Sequence, residues 1–186
     1  MRIKRTDSSF TIDGFKINPK YRYGSYTRND NDGPRTYNVK DKKVPSVTTI
    51  LSATQSKEKQ EALSKWRNRI GQEEAARITN QAATRGTEMH YVLEHYMNGQ
   101  GYLNLGDSGA QPRMMAHTIV DNLEKLSEVY GTEVSLAYED QWAGSTDLVC
   151  VYDGKSTIAD FKQSNKPKRE EWIEDYYYQI AAYSLA

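Results

Sequence analysis

Two aspartates stand where a strand would ordinarily carry apolar side chains. Asp160 follows Ile158-Ala159 and precedes Phe161-Lys162, and the two-residue period of a strand puts Ile158, Asp160 and Lys162 on one face. Asp147 shares its face with Val149 and Val151 by the same alternation. A carboxylate and an ammonium in an apolar strand are costly to bury unless they serve a purpose. Between the two runs lies Asp153-Gly154, a hairpin dipeptide, so both carboxylates converge at one edge of a sheet. Converging carboxylates make a hard, oxygen-rich site suited to Mg2+ or Mn2+. Lys162 is then placed to orient and help deprotonate an attacking water, and to offset charge on a phosphorane-like transition state. The plainer reading is a buried Asp160–Lys162 ion pair with Asp147 capping a strand end. The other Asp-x-Lys tripeptides, Asp41-Lys42-Lys43 and Asp153-Gly154-Lys155, fall in charged turns and read as solvated.

Several elements must position these residues. Residues 10–49 are short and strand-like, punctuated by Asp13-Gly14, Asn31-Asp32-Gly33-Pro34 and Lys40-Asp41-Lys42-Lys43, with a hairpin over 36–42 leading into Pro45-Ser46-Val47-Thr48. Helical spacing follows at 57–70, at about 72–84, at about 85–97 and at 112–130, with a Gly-rich loop over 98–111. Strands are predicted at 133–138, 145–152 and 156–163, and a last amphipathic helix from about 170 to the end. His90 shares a helix face with Gly86, Leu93 and Glu94; a lone helical histidine is more often packed than functional, and His95 and His117 give no reason to read them otherwise. The element order is α/β or α+β in class.

Composition narrows the functions. The 186 residues carry 37% hydrophobic and 27% charged side chains, and 14 tyrosines supply apolar surface that a modest aliphatic content lacks. One cysteine, Cys150, excludes a disulfide framework, a zinc ribbon and a cysteine-ligated iron–sulfur cluster. Neither a phosphate-binding Gly-Lys-Ser/Thr loop nor a His-Glu-x-x-His helix is present. No apolar run reaches the length of a spanning helix and the start has no apolar h-region, which predicts a cytoplasmic protein with no membrane partner. The net charge is zero, yet residues 1–46 hold 11 Lys/Arg against 5 Asp/Glu. A basic arm on an acidic body suits an enzyme that holds a polyanion beside a cation-binding pocket, or is a solvated tail.

Arg85-Gly86-Thr87-x-x-His90, Gly144-Ser145-x-Asp147, Asp160-Phe161-Lys162-x-Ser164 and Gln179-x-x-x-Tyr183, in that order, resemble the RecB-like branch of the PD-(D/E)XK nucleases. The likeness covers about residues 36–186 and is nearest to the phage and mitochondrial genome-maintenance types of exonuclease. Gln163, where that family usually has Thr, is the one departure noted. The resemblance implies a restriction-endonuclease-like core, a mixed central sheet flanked by helices, in one nuclease domain. It implies Asp147 and Asp160 as metal ligands, His90 and the carbonyl of Phe161 as further ligands, and Lys162 as the catalytic lysine. Arg85, Ser164, Gln179, Tyr183 and the Ser46 segment are implied on the DNA side, with Gln179 and Tyr183 also bracing the site. Lys166 and Lys168, in the loop after the catalytic strand, are expected to touch phosphate, and one or two rings among Trp172, Tyr176, Tyr177, Tyr178 and Tyr183 to stack bases.

The expectation is therefore a Mg2+- or Mn2+-dependent DNA exonuclease, without an iron–sulfur cluster, acting on single strands or free ends in phage-type replication, recombination or repair. The alternatives are a catalytically idle DNA-binding module and a CRISPR-adaptation or restriction-type endonuclease. In the resembled fold a further strand follows the Gln179–Tyr183 helix, and no strand-like sequence follows Tyr183 here. That predicts an incomplete core with one exposed sheet edge, reduced activity, and a separate C-terminal fragment or recombination and replication proteins as partners.

Overall fold

The basic N-terminal segment is built into the sheet rather than trailing from it. The computed structural model describes residues 15–31, 33–101 and 109–186, with the backbone of the strands at 3–6 and 9–12. The Asp13-Gly14 turn, Asp32 and most of the Gly-rich loop lie outside the described residues. Strands β1 (Ile3–Thr6), β2 (Ser9–Ile12) and β3 (Phe15–Ile17) form an antiparallel meander. Strand β4 (Thr27–Asn29), β5 (Thr36–Val39) and β6 (Lys42–Pro45) form a separate small sheet, with the β5–β6 hairpin where the turn chemistry places it.

Ser46 then starts a helix. Its hydroxyl accepts the Thr49 N–H at 3.0 Å, capping α1 (Val47–Ala53). Helix α2 (Lys57–Ile70) has the predicted bounds and the same kind of cap at Ser56. Two helices predicted across 72–97 are one, α3 (Gln72–Met97). Gly86 lowers helix propensity by about 1 kcal/mol, but the apolar stripe of Met89, Val92, Leu93, Tyr96 and Met97 buries fully and carries the helix through.

The helix predicted over 112–130 is a shorter one. It runs as α4 (Ala110–Asp121), and residues 126–130 instead open the long strand β7 (Leu126–Tyr138). Leu126 and Val129 are buried as strand residues, because β7 pairs with β3 in parallel and with β8 (Trp142–Tyr152) antiparallel. Two ladders outweigh local helical spacing. Strand β9 (Lys155–Ala159) follows the Asp153-Gly154 turn, whose φ angles of 52° and 74° are those of a tight hairpin turn. It ends at Ala159, so Asp160–Gln163 lie just past the strand rather than in it. A short 3-10 turn (Glu170–Trp172) and α5 (Glu174–Leu185) complete the chain.

The resulting six-stranded sheet has the order β1-β2-β3-β7-β8-β9, mixed in direction and flanked by helices. Phe15 and Ile17 pack with Leu126, Val129, Leu148 and Cys150 from the sheet and with Tyr96 and Met97 from α3. A second cluster, Met89, Val92, Leu93 and Ala116, joins α3 to α4. A third, Tyr37, Val39, Val44 and Ala143, seats the small sheet on β8. The N-terminal strands add to the β7 side. Among the described residues, β9 is the outermost strand on the other side.

Because Phe15 is 6% exposed inside the main cluster, Phe15→Ala should cost about 3–5 kcal/mol. Urea unfolding measures it; a loss below about 0.5 kcal/mol, the usual surface value, would mean that the segment is a tail after all.

Candidate active site

Strands β7 and β8 and the segment just past β9 each place one carboxylate in the same row. The pairs Leu148↔Ala159 and Val149↔Ile158, extended by one residue, set Asp147 opposite Asp160. Thr132↔Leu148 and Val134↔Thr146 likewise bracket Glu133 opposite Asp147. Thr146, Leu148 and Cys150 form the deeply buried face of β8; Asp147, Val149 and Val151 take the half-buried face. Past the end of the ladder the chain is held beside β8 by side-chain bonds: the Phe161 N–H donates to Asp147 Oδ2 and the buried Thr146 hydroxyl donates to the Ala159 carbonyl at 3.0 Å.

Helix α3 delivers the imidazole. His90 Nδ1 lies 3.1 Å from Asp147 Oδ1 and 3.9 Å from Glu133 Oε1. One ligand atom from each of His90, Glu133 and Asp147 lies within 4.8 Å of the others. Asp160 stands beside this cluster: Lys162 Nζ donates to its Oδ2 and Gln179 Nε2 to its Oδ1 at 3.2 Å. Gln179 also donates to the Tyr183 hydroxyl at 3.1 Å, and both side chains are buried. A chain of bonds therefore runs from α5 to the carboxylate.

The charges feel one another. Burial, and then the charge of Asp147, push the Glu133 carboxyl up to about 7. Asp160 is raised for the same two reasons, against the pull of Lys162. Burial would lower the His90 imidazole, but the bond and charge of Asp147 outweigh it and raise it. Burial lifts the Tyr183 hydroxyl to about 12, which keeps it a neutral hydrogen-bonding group. Crowded carboxylates with an imidazole among them are a donor set that a hard divalent cation satisfies. His90, Glu133 and Asp147 have ligand atoms close enough together to hold one, with Asp160 beside them.

The other expected site residues divide. Ser46 lines the cleft but is 2% exposed and spends its hydroxyl on the α1 cap. Arg85 bonds Gln163 Oε1 at 2.9 Å and Asn165 Oδ1 at 2.7 Å, while Gln163 Nε2 donates to the Ala82 carbonyl. Arg85 and Gln163 thus tie the post-strand loop to α3. Ser164 is exposed and bonds within that loop, its hydroxyl donating to the Lys166 carbonyl at 2.6 Å. Lys162 and Lys168 both sit over the Tyr176 ring, at 5.6 and 5.2 Å. Lys166 is exposed. Glu133 was not singled out by sequence. Gly131 and Ser135, two residues away on either side, are small rather than apolar, and the Glu133 φ of 46° breaks the alternation that exposed the two aspartates.

The chain is similar to mitochondrial genome maintenance exonuclease 1. The mouse protein is 28% identical over 159 residues, 83% of this chain and 47% of its own length. The human protein is 28% identical over 130 residues, 67% of this chain and 38% of its own. The Xenopus tropicalis protein is 30% identical over 154 residues, 75% of this chain and 42% of its own. The chain thus spans less than half the length of these relatives. No family model matches it. Among the described residues no helix is long and apolar enough to cross a membrane.

Gly144 tests how tightly the brace is seated. A Cβ there would lie 2.4 Å from Tyr183 Cε1 and 2.9 Å from its hydroxyl oxygen. Gly144→Ala should destabilise the protein by about 1–3 kcal/mol, read by urea unfolding. Unchanged stability would show that Tyr183 does not rest on the β8 backbone.

Proposed function

We propose that this chain is a Mg2+- or Mn2+-dependent deoxyribonuclease of the RecB-like PD-(D/E)XK kind, an exonuclease hydrolysing phosphodiester bonds at free ends or in single strands. It would serve DNA replication, recombination or repair. The observation that carries the reading is the convergence of Asp147, Asp160, Lys162 and His90 in one cleft of about 560 Å³. The names of the similar proteins point the same way: each is called an exonuclease of genome maintenance.

His90, Glu133, Asp147 and Asp160 would hold the cation, with the Phe161 carbonyl as a further candidate oxygen. The ion, when bound, supplies Lewis acidity toward the phosphate and favours ionisation of the attacking water. The chain's own residues do the rest. Lys162, 36% exposed in its side chain and bonded to the nearly buried Asp160, faces both the carboxylates and the cleft. From there its ammonium orients the attacking water and offsets charge gathering on the phosphoryl oxygens. Gln179 and Tyr183 keep the Asp160 carboxylate from rotating, so the lysine stays aimed. Arg85, through Gln163 and Asn165, fixes the loop that carries Ser164, Lys166 and Lys168, the last two of which would contact phosphates beyond the reacting one.

End-labelled linear single strands, linear duplex and circular DNA, incubated with and without Mg2+ or Mn2+, separate the possibilities. Linear DNA should be degraded only with the ion, while circles persist. Loss of circles would make the enzyme an endonuclease, and no cleavage of any substrate would leave a DNA-binding module. Lys162→Ala should lower turnover by roughly 10²–10⁴-fold with cation binding retained, and Asp147→Ala or Asp160→Ala should abolish it. Near wild-type cleavage by either aspartate variant in Mg2+ would refute the site.

A further inference from the structure

The cleft that holds the carboxylates also has a positive wall. Of the cations in residues 1–46, Arg28 and Arg35 are the two that line it among the described residues. Arg28 comes from β4 and Arg35 directly precedes β5. Both bind Asp30, one on each oxygen: Arg28 Nε donates to Oδ2 at 2.6 Å and Arg35 Nε to Oδ1 at 2.7 Å. One carboxylate therefore gathers two guanidiniums and leaves the group with a net positive charge.

Three features distinguish this fork from an ordinary surface ion pair. Both bonds to Asp30 use Nε, and among the described residues no partner takes the Nη nitrogens, so each guanidinium keeps its terminal donors. The side chains are 48% and 39% exposed, open to a ligand in the cleft. The Arg35 backbone is pinned, since its carbonyl accepts the Thr49 hydroxyl at 2.9 Å and the Ser46 N–H at 3.1 Å. It is thus anchored to the cap of α1, itself part of the cleft wall. Two guanidiniums held side by side match the non-bridging oxygens of a phosphate. The need is physical: Glu133, Asp147 and Asp160 repel a polyanion, and a fixed positive station in the same cleft offsets that repulsion.

We propose that Arg28 and Arg35, held together by Asp30, form a phosphodiester-binding station that grips the backbone of the substrate strand at a phosphate other than the one cleaved. This rests on the nuclease reading above. Asp30 is a positioning residue and the arginines are the contacts.

The test measures binding of a short single-stranded oligonucleotide with hydroxyls at both ends, over a range of salt, with Ca2+ in place of Mg2+. Arg28→Gln/Arg35→Gln should weaken binding roughly tenfold or more, with a salt slope about 0.7 shallower for the one phosphate released. Arg28→Lys/Arg35→Lys should recover the slope, because charge is kept, but not the full affinity. Thermal unfolding of both variants should match wild type, since these side chains are exposed. A single neutral methylphosphonate moved along the strand should weaken wild-type binding at one internal position and leave the Gln variant indifferent there. If the wild type binds and cleaves DNA while the Gln variant keeps its affinity and slope, the station is refuted and the nuclease reading stands. If the wild type neither binds nor cleaves DNA, both fall.

Discussion

Like charges gathered in one partly buried row set the terms of this structure. Glu133, Asp147 and Asp160 lie in one row across β7, β8 and the end of β9. Two unit charges 4 Å apart repel by about 4 kcal/mol at an effective dielectric near 20. The chain answers with specific partners for each: His90 and the Phe161 N–H for Asp147, Lys162 and Gln179 for Asp160. Glu133 has the weakest compensation, and burial with the charge of Asp147 pushes it up to about 7. The incomplete neutralisation leaves the row with negative charge to spare, unlike a closed salt-bridge network.

The elements can be understood by what they do to that row. The hairpin aligns two of the carboxylates, and the long β7 ladder brings the third. Helix α3 lays down a continuous apolar stripe whose burial sets the height of His90. Helix α5 contributes Gln179 and Tyr183, and Gly144 lets the Tyr183 ring come down onto β8. The N-terminal strands, which look like an appendage in the sequence, pack Phe15 and Ile17 beneath the same strands. The small sheet brings Arg28 and Arg35 to the cleft.

Much of this was legible from residue types alone. Carboxylates in otherwise apolar runs exposed Asp147 and Asp160, and the Asp153-Gly154 turn joined them. The spacing of Gln179 and Tyr183, one helical turn apart, puts both on the same face of α5. What stayed hidden depended on pairing between distant segments. Residues 126–130 have helical spacing but gain two strand neighbours, β3 from more than a hundred residues upstream and β8 from the next turn. Glu133 carries no local signal because Gly131 and Ser135, two residues away on either side, are small rather than apolar and its backbone leaves the alternating pattern. The tie from Arg85 to Gln163 spans 78 residues, which no local spacing encodes, and it gives that arginine a structural task beside any contact with DNA.

The central claim is that the carboxylate row and His90 bind one divalent cation between them. Mn2+ titrated into the protein and followed by electron paramagnetic resonance, with echo modulation to detect nitrogen, reports on it directly. The account predicts a bound Mn2+ whose signal carries the ¹⁴N modulation of one imidazole, with that modulation lost in His90→Ala and the bound ion lost in Asp147→Ala. A spectrum that remains that of the free aquo ion at stoichiometric protein, or a bound ion indifferent to both substitutions, would contradict it.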